Sequence, residues 1–160
     1  MSTQEQYRVD VRRMDVDFIQ FEQSIEELSE TEYDAAGPEL EKRYAGELFE
    51  DKAYIWAIDE RERLGIVYVS FAKSLVHRLI ARKQYREAAH TARRLVARNE
   101  FDEESNLLLL RVLGAMGDRQ SLHSSYERYS QLLLRELGLR PSEELCRIYE
   151  QYRATGVTQE

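Results

Sequence analysis

The sequence contains few residues that interrupt helices or build reactive sites. Only two prolines and seven glycines occur among 160 residues, which permits long helices. The single cysteine, Cys146, excludes an internal disulfide and favours a reducing, cytoplasmic setting. We expect Cys146 to behave as a small buried hydrophobe. No apolar run approaches the ~20 residues of a membrane span, and no apolar segment follows a basic start, so we predict neither a membrane anchor nor a secretory signal.

The sequence also lacks the patterns that carry catalysis. His77, His90 and His123 stand without Cys or carboxylate partners at metal-ligand spacing, and we expect His123 to be solvated. No Walker A, G-x-S-x-G or G-x-G-x-x-G pattern occurs. The sequence therefore predicts no metal, no cofactor and no enzymatic activity.

The net charge of −7 is unevenly distributed. Residues 1–60 carry a net charge of −11, residues 61–100 carry +7, and residues 101–160 carry −3. An acidic chain is a poor stand-alone binder of nucleic acid, because phosphate affinity requires a basic surface. The simpler interpretation is that the basic middle neutralises the acidic first third within the fold. The alternative is that it meets an acidic partner.

What the sequence does contain is a repeat within residues 60–137. When the segment is laid on itself with an offset of 34, its apolar positions and its helix breakers coincide. The matched pairs are Leu75 with Leu109, Leu79 with Leu113, Ala88 with Leu122, Ala92 with Tyr126, Leu95 with Tyr129, and Lys83-Gln84 with Gly117-Asp118. A 34-residue period of helix–turn–helix units is typical of tetratricopeptide stacking. The sequence thus predicts an all-α, tetratricopeptide-like right-handed helical array of about seven helices, which presents surfaces rather than a catalytic pocket.

The repeat lies inside one predicted domain, at 15–155, between an extended lead-in at 1–14 and a tail at 156–160. Residues 7–11 alternate apolar and polar side chains, which indicates a short strand without an obvious partner. The predicted helices begin at Asp15 or Asp17, at Pro38 and near Asp59, then span 85–98, 104–116 and 119–137, with a last helix from Pro141. We expect the tyrosines of the last two helices to pack between them; a self-association surface is the alternative.

Two sets of residues are candidates for binding a partner. The first is a basic row along the fourth helix, spaced by four: Arg86, His90, Arg94 and Arg98. Such a row suits an acidic peptide or a phosphate backbone, but it is also what a solvated helix face looks like. The second set is the groove expected along the first helices of the repeat units, which offers Lys73, His77, Leu107 and Arg111. Lys73 and Arg111 would suit a carboxylate.

Several stretches together carry a family resemblance. They are residues 44–49, Trp56, residues 60–64, residues 85–89, residues 136–143 with their Leu-Gly-x-x-Pro-Ser close, and Tyr149. In combination they resemble the bacterial transcriptional activator domain found in the SARP group of antibiotic-pathway regulators and in related response regulators of two-component systems. The resemblance extends from about Asp17 to Tyr152, and it implies that Trp56, Glu60 and Arg61 form a structural signature.

The resemblance also implies a function. In that family the domain follows a winged-helix DNA-binding domain, and residues 7–9 resemble the last strand of such a domain. We therefore expect an excised C-terminal domain, or a product that lost its DNA reader. The family's DNA-contacting residues have no counterparts here, so we predict no direct nucleic-acid binding by this chain alone.

The expected function is that of a regulatory or oligomerisation domain of a cytoplasmic transcription regulator. It would bind its own winged-helix domain, a second copy in a homodimer, or RNA polymerase. One alternative is a stand-alone adaptor that grips an acidic peptide through Lys73, His77 and Arg111. The other is an effector-sensing domain with a pocket around Trp56.

Overall fold

The computed structural model describes residues 17–44, Ile55 and residues 58–154, and this part of the chain forms seven helices. They are α1 (Asp17–Glu27), α2 (Glu30–Arg43), α3 (Ile58–Ala81), α4 (Tyr85–Arg98), α5 (Glu103–Met116), α6 (Arg119–Leu137) and α7 (Glu143–Ala154). The predicted all-α array of about seven helices is confirmed, and the predicted bounds of α4 and α6 agree residue for residue. The strand predicted at residues 7–11 and Trp56 lie outside the described residues.

The start of α2 corrects the sequence prediction, which had placed Pro38 in the first turn of this helix. The helix begins well before the proline because Ser29 caps it. The Ser29 hydroxyl accepts a hydrogen bond from the Glu32 backbone N–H (3.3 Å), and the Glu32 carboxylate accepts one from the Ser29 N–H (3.2 Å). Pro38 therefore lies inside the helix and removes one backbone donor. The neighbouring Gly37 is buried, and a Cβ there would lie 2.8 Å from Leu75 Cδ1, so the glycine allows α2 to approach α3 closely.

The turns inside the two repeat hairpins, α3–α4 and α5–α6, follow the same backbone path. Lys83 and Gly117, which are 34 residues apart, both adopt the left-handed conformation, with φ of 61° and 70°. In each turn the next residue donates its N–H back to the preceding helix, to the carbonyl of Leu79 (2.9 Å) or of Leu113 (3.0 Å). The 34-residue period in the sequence therefore corresponds to a repeated local structure.

The central helix is α3, which packs against α1, α2, α4 and α5. Its side chains Tyr68, Leu75 and Val76 are almost completely buried. The length and hydropathy of α3 would also suit a membrane span, and 44% of its most apolar window is buried inside the protein. Its position at the centre of the core accounts for this apolar character.

The first two helices join the same core through aromatic rings. Phe21 of α1 meets Phe71 of α3 edge-on, with ring centroids 5.8 Å apart, and Tyr44 after α2 stacks on Tyr68 at 4.0 Å. The Tyr33 hydroxyl donates a hydrogen bond to the Phe71 carbonyl (3.0 Å). These contacts attach α1 and α2 to the repeat.

The seam between α6 and α7 is also aromatic, as the spacing of the tyrosines predicts. Tyr126 and Tyr149 stack with centroids 3.9 Å apart and nearly parallel rings. The expectation of a solvated His123 is only partly right: the residue is exposed, but its Nδ1 lies 2.7 Å from the Tyr149 hydroxyl. Cys146 is half-buried rather than buried, with its Sγ 3.5 Å from the Tyr126 hydroxyl. Stacking closes this end of the array.

Candidate partner-binding groove

A groove lies between α3 and α5, the first helices of the two hairpins. Its volume is about 810 Å³, and Leu95 and Arg98 of α4, with Asn99 directly after this helix, contribute to its lining. Ile66 and Val69 give it an apolar wall, and the side chain of Ile66 is 71% exposed. An open groove with an apolar wall and polar groups along its length has the composition of a binding site.

Lys73, one of the two cations predicted for this groove, is already neutralised. Its ammonium lies 2.9 Å from the Asp102 carboxylate and 2.6 Å from the Glu104 carboxylate. Burial by itself would lower the pKa of Lys73, but the hydrogen bonds to the two carboxylates outweigh this and raise it. Burial would likewise raise the pKa of Asp102, but hydrogen bonds from Ser105 and Lys73 lower it. The three charges therefore act as a fixed cluster at the side of the groove.

The second predicted cation, Arg111, is also paired. Its guanidinium donates to the Glu144 carboxylate at 3.0 Å and so links α5 to α7. Leu107, one turn earlier on α5, is half-buried, and neither of these two residues is part of the groove lining. Neither Lys73 nor Arg111 presents an unpaired charge to an incoming ligand.

His77 is the predicted groove residue that remains open. It lines the groove and is exposed, and it has no hydrogen-bond or ion-pair partner among the residues that the structure describes. Ile66 lines the same groove about three turns earlier on α3. Sequence reasoning missed Ile66, although an isoleucine on the side of α3 opposite the repeat stripe was an available signal.

The basic row on α4 divides into two halves. Arg86 and His90 are exposed, whereas Arg94 and Arg98 turn towards α2. Arg94 donates to the Glu41 carboxylate (2.6 Å) and to the carbonyls of Glu41 (3.1 Å) and Tyr44. Arg98 donates to the Tyr44 hydroxyl at 3.2 Å. The four residues therefore do not form one continuous solvent-facing rail.

The side chain of Arg94 points inward because it pairs with the buried carboxylate of Glu41. The Glu41 side chain is 2% exposed, and it accepts hydrogen bonds from Arg94 and from the Tyr68 hydroxyl (3.0 Å). Burial and the nearby Glu41 charge raise the pKa of Tyr68, which keeps the phenol neutral as a donor. Nothing in the local sequence pattern distinguishes Glu41 from the neighbouring carboxylates.

The family signature is described in part. Trp56 lies outside the described residues. Glu60 accepts from Arg63 (2.6 Å), and Arg63 also pairs with Glu22 of α1, so this part of the signature joins α1 to α3. Arg61 is half-buried in the same turn. Within residues 17–44 and 58–154, no group of three His, Cys, Asp or Glu side chains is placed to hold a metal ion.

Comparison with known proteins agrees with the resemblance. A family model described as the bacterial transcriptional activator domain matches residues 16–153, which includes nearly the whole of all seven helices. No curated protein sequence gave a significant match. The chain therefore belongs to the bacterial transcriptional activator domain family, whose members take part in the activation of transcription in bacteria.

Proposed function

We propose that this chain is a regulatory domain of a cytoplasmic transcription regulator and that it acts through protein–protein contacts made by the α3–α5 groove. Family membership supports a role in transcription. The net charge of −7 supports leaving DNA reading to another domain, because phosphate contacts require basic surfaces. The partners that fit are the winged-helix domain of the regulator, a second copy of the chain, or RNA polymerase.

The exposed wall of the groove is the observation that carries this proposal. Ile66 is 71% exposed, and it lines the same groove as His77, which lies about three turns later on α3 and has no partner among the described residues. On the charged side of the groove, Lys73 is already paired with two carboxylates. Such a surface suits a protein segment that inserts an apolar side chain and pairs its polar groups around it.

The same ion pairs argue against a function as an adaptor that binds acidic peptides. An acidic ligand would have to displace Asp102 and Glu104 from Lys73, and Glu144 from Arg111, before it gained a cation. A peptide pull-down with the Lys73→Glu and Arg111→Glu variants distinguishes the two functions, because only the adaptor should lose an acidic peptide.

One observation favours self-association as a second candidate. Leu134, Leu137 and Leu139, at the end of α6 and in the following turn, are 62%, 53% and 57% exposed. Neighbouring exposed leucines on a folded surface are typical of a contact with another molecule. This leucine patch is separate from the groove, so the two surfaces can be altered independently.

The test fuses the chain to an unrelated DNA-binding domain and measures expression from a promoter that carries its target site. The groove variant Ile66→Glu should abolish activation, because a buried carboxylate opposes apolar insertion. The matched variant Leu134→Glu, also an exposed apolar residue, should leave activation by the groove intact. Equal activation by the Ile66→Glu variant and the unaltered chain would refute the groove.

Two solution measurements complete the test. Light scattering should show whether Leu134→Glu converts a dimer to a monomer, which would assign self-association to the leucine patch. Binding of duplex DNA by the chain alone should be weak and independent of sequence at low and moderate salt. Sequence-specific DNA binding by the chain would contradict the proposal that another domain reads the DNA.

A further inference from the structure

A second cavity, of about 400 Å³, lies between α4 and α6, the second helices of the two hairpins. The nearly buried apolar side chains of Val96 on α4 and Leu109 on α5 contribute to its lining. Three serines of α6, Ser121, Ser124 and Ser125, also line it. The cavity is thus a recess that combines apolar side chains with a row of hydroxyl groups, and it is distinct from the α3–α5 groove.

Two arginines from different helices line this α4–α6 cavity. Arg93 comes from α4 and Arg128 from α6, and both are exposed. Neither has a hydrogen bond or an ion pair with any of the residues that the structure describes. Arg63, Arg94 and Arg111, by contrast, are paired with carboxylates.

The negative groups near the cavity do not cancel these charges. Glu100 is the one carboxylate among the lining residues, and it is exposed. Asp118 lies at the start of α6, where its carboxylate accepts the Ser121 backbone N–H at 3.1 Å and serves as the helix cap. Hydrogen bonds from Ser121 and the nearby charge of Arg93 lower the pKa of this carboxylate. The recess therefore combines two guanidinium groups and three hydroxyls with the lining carboxylate of Glu100 and the nearby carboxylate of Asp118, neither of which forms an ion pair with the arginines.

The repeat explains why Arg128 is available. Its equivalent in the first hairpin, 34 residues earlier, is Arg94, which is occupied by Glu41 of α2. In the second hairpin the preceding helix is α4, and no carboxylate of the described residues forms an ion pair with Arg128, which lines the cavity.

We propose that the α4–α6 cavity binds a small phosphate monoester, with the phosphate between Arg93 and Arg128. Guanidinium groups bind phosphate through charge-assisted, often bidentate hydrogen bonds. The serine hydroxyls supply further donors, and the volume accommodates a ligand of about sugar size. The site would give the domain an effector input on a surface separate from the one proposed to bind its partner.

The test titrates the full chain with inorganic phosphate and with glucose 6-phosphate, using calorimetry and backbone amide NMR. Both probes should bind at one saturable site, with shifts concentrated at Arg93 and in the first half of α6. Tighter binding of glucose 6-phosphate assigns the site to an ester, and equal binding assigns it to free phosphate. Arg93→Gln and Arg128→Gln should each weaken binding by about tenfold or more.

Two further variants serve as controls. Glu100→Gln should tighten binding, because it removes the opposing carboxylate. Arg147→Gln, which removes an exposed arginine of α7 outside the cavity, should leave binding unchanged. Since all four side chains are exposed, thermal melts should show that the variants fold.

Three results would overturn the proposal. The first is the absence of saturable binding of either probe. The second is equal weakening by Arg147→Gln, which would show only diffuse attraction of anions. The third is binding of duplex DNA that depends on Arg93 and Arg128 and excludes both probes, which would make this face a nucleic-acid surface.

Discussion

The two hairpins share a backbone path but differ in how their turns are encoded. In the α5–α6 turn, Gly117 adopts the left-handed conformation without a steric penalty, and Asp118 caps α6 through the Ser121 N–H. In the α3–α4 turn, Lys83 takes the same left-handed conformation, and Gln84 makes no side-chain hydrogen bond to the start of α4. The second turn is specified locally, whereas the first is imposed by the surrounding fold.

The two hairpins also differ in their long-range contacts, and here it is the first hairpin that has the additional support. Arg94 of the first hairpin binds buried Glu41 of α2, whereas the equivalent Arg128 makes no such contact. Packing against α2 thus compensates for the poor turn of the first hairpin. The lesson is that one repeat geometry can be reached from local turn chemistry or from a neighbouring helix.

The largest expected effect comes from Arg94→Met, which tests the dependence on α2. It leaves the Glu41 carboxylate buried without its cation, and we expect the free energy of unfolding to fall by about 3 kcal/mol. Urea denaturation measures this value. The equivalent change in the second hairpin, Arg128→Met, should have almost no effect; similar losses from both variants would contradict the comparison.

The next effect concerns one glycine in each hairpin, Gly114 and Gly65, at which an added methyl group would meet a neighbouring side chain. A Cβ at Gly114 of α5 would collide with the base of the Tyr152 ring of α7, so Gly114→Ala should cost about 1–3 kcal/mol. At Gly65 of α3 the added Cβ meets the flexible end of Arg98, so Gly65→Ala should be nearly neutral. Thermal unfolding of both variants checks this, and a stabilised Gly114→Ala protein would show that α7 is loosely attached.

Exchanging the turn residues tests the local encoding directly. Gly117→Lys should destabilise the protein by about 1–2 kcal/mol, because a side chain is disfavoured at positive φ. Lys83→Gly should stabilise it by about 0.5–1 kcal/mol for the same reason. Chemical denaturation measures both changes, and the inference fails if the two substitutions have the same sign.

The smallest effect is the pH dependence of the ion pair between Lys73 of the first hairpin and Asp102 at the start of the second. The Lys73–Asp102 pair has no equivalent in the second hairpin, where Leu107 takes the position of Lys73. Because the pKa of folded Asp102 lies below its ordinary value of 3.8, the pair stabilises the fold above that pH and loses its effect as the pH falls through the folded pKa.

Asp102→Asn should therefore lower the free energy of unfolding by about 1 kcal/mol near pH 7, since the pair is partly exposed and asparagine still caps α5. The difference from the unaltered chain should shrink below pH 3.8. Urea titrations at several pH values measure it. A difference that does not change with pH would assign the effect to helix capping alone.

The helices were predictable where the signal was periodic and its ends were marked. The bounds of α4 and α6 follow from the 34-residue repeat and from breakers such as Gly117-Asp118 and Gly138. The start of α2 was not predicted, because Gly37-Pro38 is a stronger breaker signal than the capping box of Ser29 and Glu32. The role of Gly37, which leaves room for Leu75, can be recognised only once the relative positions of α2 and α3 are known.

The sequence predicted part of the groove lining but not its electrostatics. The register of α3 places Lys73 and His77 along the groove, as helical spacing implies, whereas Leu107 and Arg111 of α5 do not line it. Whether each cation is free depends on Asp102 and Glu144, which reach it from other elements. Sequence spacing within one helix cannot show such pairing, and this is also why the inward turn of Arg94 towards Glu41 was missed.

The apolar composition of α3 has a consequence during synthesis. As this helix leaves the ribosome, α4 and α5 have not yet been made, and it is hydrophobic enough to resemble a membrane anchor. Packing against α4 soon after synthesis buries the apolar surface of α3. Slow formation of the turn at Lys83 would therefore lengthen the exposure of this surface to chaperones and insertion machinery.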